Sequence, residues 1–265
     1  MNKVVLLYHD VIAPGDYESS GFQSPDANIY KLDRAEFERH LAAVAAVTNR
    51  DVCLVTDARG MPGTQVLLTF DDGGASASSC IADMLEARGW RGHFFVTTDY
   101  ISRPGFLSPG EIRALRERGH IIGSHSCSHP PRMARSDPAE MDREWRESMA
   151  TLTGILGEAV EAASVPCGSF SRQVASAAAR AGIRVLFNSE PVTGSHTVDG
   201  CLVLGRFCVR RGVPPEWAAA VASGADWPRL QSWLVWNATK ALERIGGDYW
   251  LDFRKKFLAR RADAR

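Results

Sequence analysis

The sequence predicts an α/β fold, a largely parallel sheet with helices between its strands. Three observations carry this. Short apolar runs recur along the chain and are continuous rather than alternating, the mark of strands covered on both faces. Helical patterns with start and stop residues stand between them. No sharp linker and no internal repeat divides the chain before about residue 224.

The apolar runs are Lys3–Tyr8, Val52–Val55, Gln65–Phe70, His93–Thr97, His120–Gly123, Ala162–Val165, Arg184–Phe187 and Leu202–Val209. The first helix opens at Asp33, an N-cap residue type, with Glu36 placed to reach back to it. Phe37, Leu41 and Val44 then fall on one face. Ser108-Pro109-Gly110-Glu111 repeats the device with proline at the first helical position, and Gly119 ends that helix. Asp137-Pro138 opens a longer helix that ends near Gly157, and Ser171 opens another that ends at Gly182. About eight strands alternating with helices predict a βα barrel or an open doubly wound sheet. Residues 1–224 read as one domain and residues 225–265 as a helical extension.

Composition narrows the function classes. Of 265 residues, 45% are hydrophobic and 23% charged, ordinary for a globular domain, and the formal net charge is zero. No global field attracts nucleic acid, which is not expected as a partner. No run approaches the roughly 18 apolar residues of a membrane span. The run Val4–Tyr8 is too short for a secretory signal, so a cytoplasmic location is expected. The six cysteines form no C-x-x-C pair and read as free thiols. The extension gathers Trp227, Trp233, Trp236 and Trp250, and Phe253–Arg265 is basic with Phe257 and Leu258 interleaved. That pattern fits either a helix packed on the domain with a solvated tail, or a membrane-surface helix or lid.

Two short segments carry chemistry. Thr69-Phe70-Asp71-Asp72-Gly73 directly follows an apolar strand. Neighbouring side chains diverge, so one carboxylate can ligate a cation while the other faces a bound water, and strand C-termini are where barrel enzymes place their chemistry. A plain turn has the same Asp-Gly composition. His125-Ser126-Cys127-Ser128-His129 follows another strand, and two imidazoles four positions apart can face one ion. Together the segments offer one carboxylate and two imidazoles, which leaves coordination positions open for water and substrate. The second carboxylate is then a ready general base.

These residues resemble the polysaccharide deacetylases, the NodB-homology or carbohydrate esterase family four, and within it the exopolysaccharide N-deacetylase-like branch. Thr69-Phe70-Asp71-Asp72-Gly73 is similar to that family's first motif, and His125-Ser126-Cys127-Ser128-His129 to its second. The likeness runs from Val4 to about Val209. It implies a distorted (β/α) barrel of seven or eight strands. It also implies a metal held by Asp72, His125 and His129, with Zn²⁺ the default and Co²⁺ or Ni²⁺ acceptable, and Asp71 as the base.

Two motifs depart from the pattern. The third, which carries an arginine that orients the base, reads Ser164-Val165-Pro166-Cys167-Gly168 and has none. The backbone N–H of Cys167 remains a candidate oxyanion donor. The last motif, a histidine on the final strand, is missing from Leu204-Gly205-Arg206-Phe207-Cys208. His9 in Tyr8-His9-Asp10 is the candidate acid, because the first and last strands of a barrel are neighbours. Members of the branch carry a similar start. Asp10 is placed to hold its ring, and His196 is the fallback acid. His40, His93 and His120 read as structural. Pro166, Gly168 and Arg206 are expected at the substrate. The function expected is hydrolysis of an N-acetyl group from an amino sugar, as a glycolipid, nucleotide sugar or polysaccharide precursor. A deformylase or other amidase, and a glycan-binding pseudoenzyme, are the alternatives.

Overall fold

The computed structural model describes residues 3–48, 52–57 and 64–242. Its main sheet joins β1 (Lys3–Tyr8), β4 (Gln65–Phe70), β5 (His93–Val96), β6 (Ile121–Ser124), β7 (Ala162–Ser164), β8 (Val185–Phe187), β9 (Ser195–Val198), β10 (Cys201–Leu204) and β11 (Phe207–Cys208). The short strands β2 (Val11–Ile12) and β3 (Leu32–Asp33) pair separately. The hydrogen-bonded order is β11-β1-β4-β5-β6-β7-β8-β10-β9, and only the β10–β9 pair is antiparallel.

The fold is a distorted barrel, and its seam is closed by the chain rather than by a ladder. β10 pairs with β8 and β11 with β1, yet only Gly205 and Arg206 separate them in sequence. Gly205 makes the crossing possible, since a Cβ there would stand 2.3 Å from the Glu190 carbonyl oxygen. The expected single strand Leu202–Val209 is therefore two strands. The expected strand Val52–Val55 is an isolated bridge from Val52 to Val66, because the Val55 N–H donates to the His93 ring (3.0 Å) and leaves the sheet.

Both faces of the strands are apolar for different reasons. Val5, Leu67, Phe95, Phe187 and Leu204 meet inside the barrel. Their neighbours Val4, Leu6, Tyr8, Val66, Leu68, Phe70 and Phe94 belong to the larger core under the helices. The period of two along β4 puts Thr69 and then Asp71 on the inner side with Leu67. β1 and β4 run in register from Lys3↔Gln65 to Tyr8↔Phe70, so His9 and Asp71 leave the sheet at one level.

The helices are α1 (Arg34–Val47), α2 (Ala82–Glu86), α3 (Pro109–Glu117), α4 (Pro138–Leu156), α5 (Arg172–Arg180), α6 (Pro215–Ser223) and α7, over 226–242. Asp33, Ser108, Asp137 and Ser171 each cap the helix they precede through a side-chain oxygen, and the Ser108–Glu111 box is complete in both directions. Two of the longer helical segments escaped the sequence patterns: a π-helical turn, Ala77–Ile81, that runs into α2, and α6. Trp250 and Phe253–Arg265 lie outside the described residues. Among the described residues no helix is long and apolar enough to cross a membrane.

Candidate metal centre

Asp72, His125 and His129 come together at the C-terminal ends of β4 and β6. Their ligand atoms all lie within 4.8 Å of one another. Asp72 Oδ1 is 3.4 Å from His125 Nε2 and 3.6 Å from His129 Nε2. The His125 Nδ1 meets Ser164 at its carbonyl oxygen (3.1 Å) and its Oγ (2.5 Å), which orients the ring and leaves Nε2 facing Asp72. Burial pushes both imidazoles down, His125 to about 4 and His129 to about 3, so both are neutral near pH 7. Burial and then the adjacent Asp71 charge push Asp72 well up, a strain that a cation would relieve. The donor set therefore fits a divalent metal: two neutral imidazoles, that of His125 oriented by Ser164, around one carboxylate that among the described residues has no lysine or arginine at contact distance.

The backbone bends sharply to make this cluster. Asp72 (φ 76°), Ser126 (65°), His129 (61°) and Cys167 (54°) are four of the six non-glycine residues with positive φ among those described. Such conformations persist only where the surroundings impose them. The buried Glu144 of α4 imposes those of the histidine loop. Its carboxylate accepts from Cys127 N (3.0 Å), Ser128 N (2.8 Å) and Ser128 Oγ (2.8 Å). Ser124 Oγ accepts from Ser126 N (3.0 Å) and meets Ser148 Oγ at 2.6 Å, and Ser126 Oγ accepts from His129 N (3.1 Å).

Asp71 lies beside the cluster, its Oδ2 3.9 Å from His125 Nε2. Arg206, expected at the substrate, is instead 0% exposed and grips Asp71. Nη1 and Nη2 donate to the two carboxylate oxygens at 2.7 Å each, while Nε donates to the Asn188 carbonyl (2.8 Å). Ser164 Oγ adds a third hydrogen bond to the carboxylate, at Asp71 Oδ1 (3.0 Å). Burial alone would raise Asp71, but Arg206 and His125 outweigh it and hold the carboxyl far below its ordinary range. The arginine missing from the third motif is thus supplied from the barrel seam. A planar fork is needed to bind both oxygens, which is why this role takes arginine.

His9 faces the same space. Its ring packs on Tyr30 (centroids 4.6 Å apart), and its Nδ1 is buried without a hydrogen-bond partner. Burial lowers its pKa to about 4, against the pull of the Asp71 charge. Asp10 does not hold this ring. It is buried and bonded to Ser20 Oγ (2.5 Å) and Ser76 Oγ (2.8 Å), between Gly21 and Gly74, where any Cβ would collide with its carboxylate. Cys167 is exposed, but Pro166 and Gly168, expected at the substrate, are buried. A Cβ on Gly168 would meet Trp236 of α7 at 2.9 Å and Ser189 at 3.0 Å, so these residues shape the loop rather than offer a surface. His196 sits on the exposed part of edge strand β9 with its ring near Phe170. His40, His93 and His120 are spent on Val213, Leu68 and Glu86 respectively.

Comparison with known proteins agrees with this geometry. Residues 58–186 match the family model described as polysaccharide deacetylase. That stretch is similar to a polysaccharide deacetylase domain. It is 28% identical over 105 residues to a chitin deacetylase of Colletotrichum lindemuthianum, covering 38% of this chain and 42% of that protein. It is 27% identical over 112 residues to the peptidoglycan-N-acetylglucosamine deacetylase PgdA of Listeria monocytogenes, covering 42% and 23%. The chain spans less than half the length of the curated relatives it matches. Among solved structures, IcaB from Ammonifex degensii superposes with a TM-score of 0.69 at 22% identity, covering 84% of this chain and 97% of that one. The Streptococcus pyogenes deacetylase PplD gives 0.66 at 18%, covering 82% and 96%. These likenesses establish the barrel fold.

Proposed function

We propose that this chain is a metal-dependent N-deacetylase that removes an acetyl group from an amino sugar and releases acetate and the free amine. One observation carries the reading: Asp72, His125 and His129 converge beside an ionised, arginine-held Asp71 in a stretch similar to a deacetylase domain. Asp72, His125 and His129 would hold the metal. Zn²⁺ suits this oxygen and nitrogen donor set best, and Co²⁺ or Ni²⁺ also fit it. When bound, such an ion polarises the acyl carbonyl and can lower the pKa of water to about 7.

The chain's own groups do the rest. Asp71 accepts the proton of the attacking water, and Arg206 and Ser164 keep its carboxylate ionised and aimed. The N–H of Cys167 donates to the carbonyl oxygen as negative charge builds on it. His9 relays a proton to the departing nitrogen: burial lowers its pKa to about 4 against the pull of the Asp71 charge, so its ring is neutral at rest and passes on the proton that Asp71 takes from the attacking water. The amine then leaves neutral. The substrate is an N-acetylated amino sugar within a glycolipid, a nucleotide sugar or a polysaccharide precursor.

Acetate release from N-acetylglucosamine oligomers and N-acetylated glycolipids tests this. Asp71→Asn is expected to keep its metal and lose most turnover. His9→Ala is expected to keep its metal and slow the reaction by about 10²-fold or more, the usual worth of a positioned acid. An unchanged rate in His9→Ala would give the proton donor's role to another group. Formate release in place of acetate would make the enzyme a deformylase. Metal without any turnover would make it a binding protein.

A further inference from the structure

Helix α7 wears its apolar side outward. Trp227, Leu230 and Leu234, spaced to share one face, are 71%, 47% and 51% exposed, and Trp233, Val235 and Leu242 flank them at 41%, 62% and 44%. A helix that merely packs on a domain turns this side inward. Between 227 and 242 the only charged residues are Arg229 and Lys240. Both are half-buried on the opposite side. Arg229 bonds back to the Ala225 carbonyl (3.0 Å), and Lys240 lies over the Trp236 ring (4.8 Å). The outer arc carries no charge beyond Asp226, the exposed first residue of the helix, whose carboxylate pairs with Arg229 (2.6 Å). The inner side is tied to the catalytic cleft, because Trp236 seats against Gly168, next to the exposed Cys167.

The chain continues past this helix with a strongly basic composition. Between Phe253 and Arg265 stand Arg254, Lys255, Lys256, Arg260, Arg261 and Arg265 against the single acidic Asp263. We infer that the outer face of α7 docks on an anionic lipid surface, and that the cleft acts there on a membrane-borne N-acetylated glycolipid. An apolar arc with tryptophan and leucine, beside a basic stretch, is the composition that partitions into a headgroup layer of negative charge. The basic composition favours an anionic surface over a second copy of the chain, which would carry the same charge. No described helix spans a membrane, so α7 lies on the surface. The docking stands on these observations alone, whereas the glycolipid rests on the deacetylase reading.

The test uses the full chain, loaded with zinc, and sedimentation with vesicles of phosphatidylcholine alone or mixed equally with phosphatidylglycerol. The native protein is expected to bind the anionic vesicles at least about tenfold more tightly than the neutral ones, and to be released by high salt. The triple variant Trp227→Ser/Leu230→Ser/Leu234→Ser changes exposed residues only. It is expected to lose at least about tenfold in vesicle binding, while its metal content and its acetate release from a soluble substrate stay native. Equal binding by native protein and variant overturns the docking, as does no binding to anionic vesicles. A native dimer that the triple substitution dissociates makes the face a subunit interface and overturns it too. Vesicle binding without deacetylation of any substrate would keep the docking and sink the deacetylase reading.

Discussion

Replacing Arg206 by Met isolates the contact on which the proposed base depends. Arg206 and Asp71 are 0% and 4% exposed and share two charge-assisted hydrogen bonds of 2.7 Å. Methionine fills similar volume but leaves the Asp71 carboxylate buried with only Ser164 Oγ for a donor. Breaking a buried pair on one side costs about 3–5 kcal/mol, a large part of the roughly 5–15 kcal/mol that holds a domain folded. Adding Asp71→Asn removes the stranded charge as well. The double variant keeps only the smaller loss at the Asn188 carbonyl, which Arg206 Nε no longer satisfies, about 1–3 kcal/mol. Urea unfolding followed by circular dichroism therefore has a definite expected order: native most stable, the double variant intermediate, Arg206→Met least. A single variant within about 1 kcal/mol of native, or a double variant less stable than the single one, would refute the reading of Arg206 as the partner of a buried anion.

Further outcomes follow from the same geometry. Glu144→Ala removes a buried acceptor shared by Cys127 and Ser128, and is expected to cost about 2–3 kcal/mol in urea unfolding and to weaken metal binding, since the histidine loop loses its brace. Native protein at a hundred times the dissociation constant of zinc should gain about 2.7 kcal/mol of stability, whereas Asp72→Asn should be more stable than native without metal and gain almost nothing from it. The metal-free protein should lose stability as pH falls from about 6.5 toward 4. His9, His93 and His125 (pKa about 4) and His129 (about 3) stay neutral when folded but take up protons on unfolding, each worth up to about 1.4 kcal/mol per pH unit. Asp72, raised by burial, opposes this by one proton. Zinc should delay the loss, and a metal-free stability that rises on acidification would contradict the burial of these rings.

What was legible in the sequence was local. The caps at Asp33, Ser108, Asp137 and Ser171 obey rules spanning three residues. The paired motifs could be placed because each directly follows an apolar strand. The continuous strands were legible because a barrel has an interior as well as an outer layer. The misses are contacts between distant segments. Arg206 and Asp71 stand 135 residues apart, and only the seam at Gly205 brings them together. Hence Arg206 read as a substrate-binding group and the third motif as lacking its arginine. Asp10 read as a partner for the adjacent His9, but Ser20 and Ser76 claim it. Glu144 did carry a trace: a charge among Met141, Trp145, Ser148 and Leu152 on the buried face of α4 must have a partner inside.

The central claim is that three side chains from two distant strand ends share one cation. Metal content of the protein after zinc equilibration and gel filtration tests it most directly, with His125→Ala as the control. The account predicts about one tightly held ion per native chain, the stoichiometry of a single three-ligand site, and almost none in the variant. A native chain that retains no ion, or a variant that retains as much as native, would contradict it.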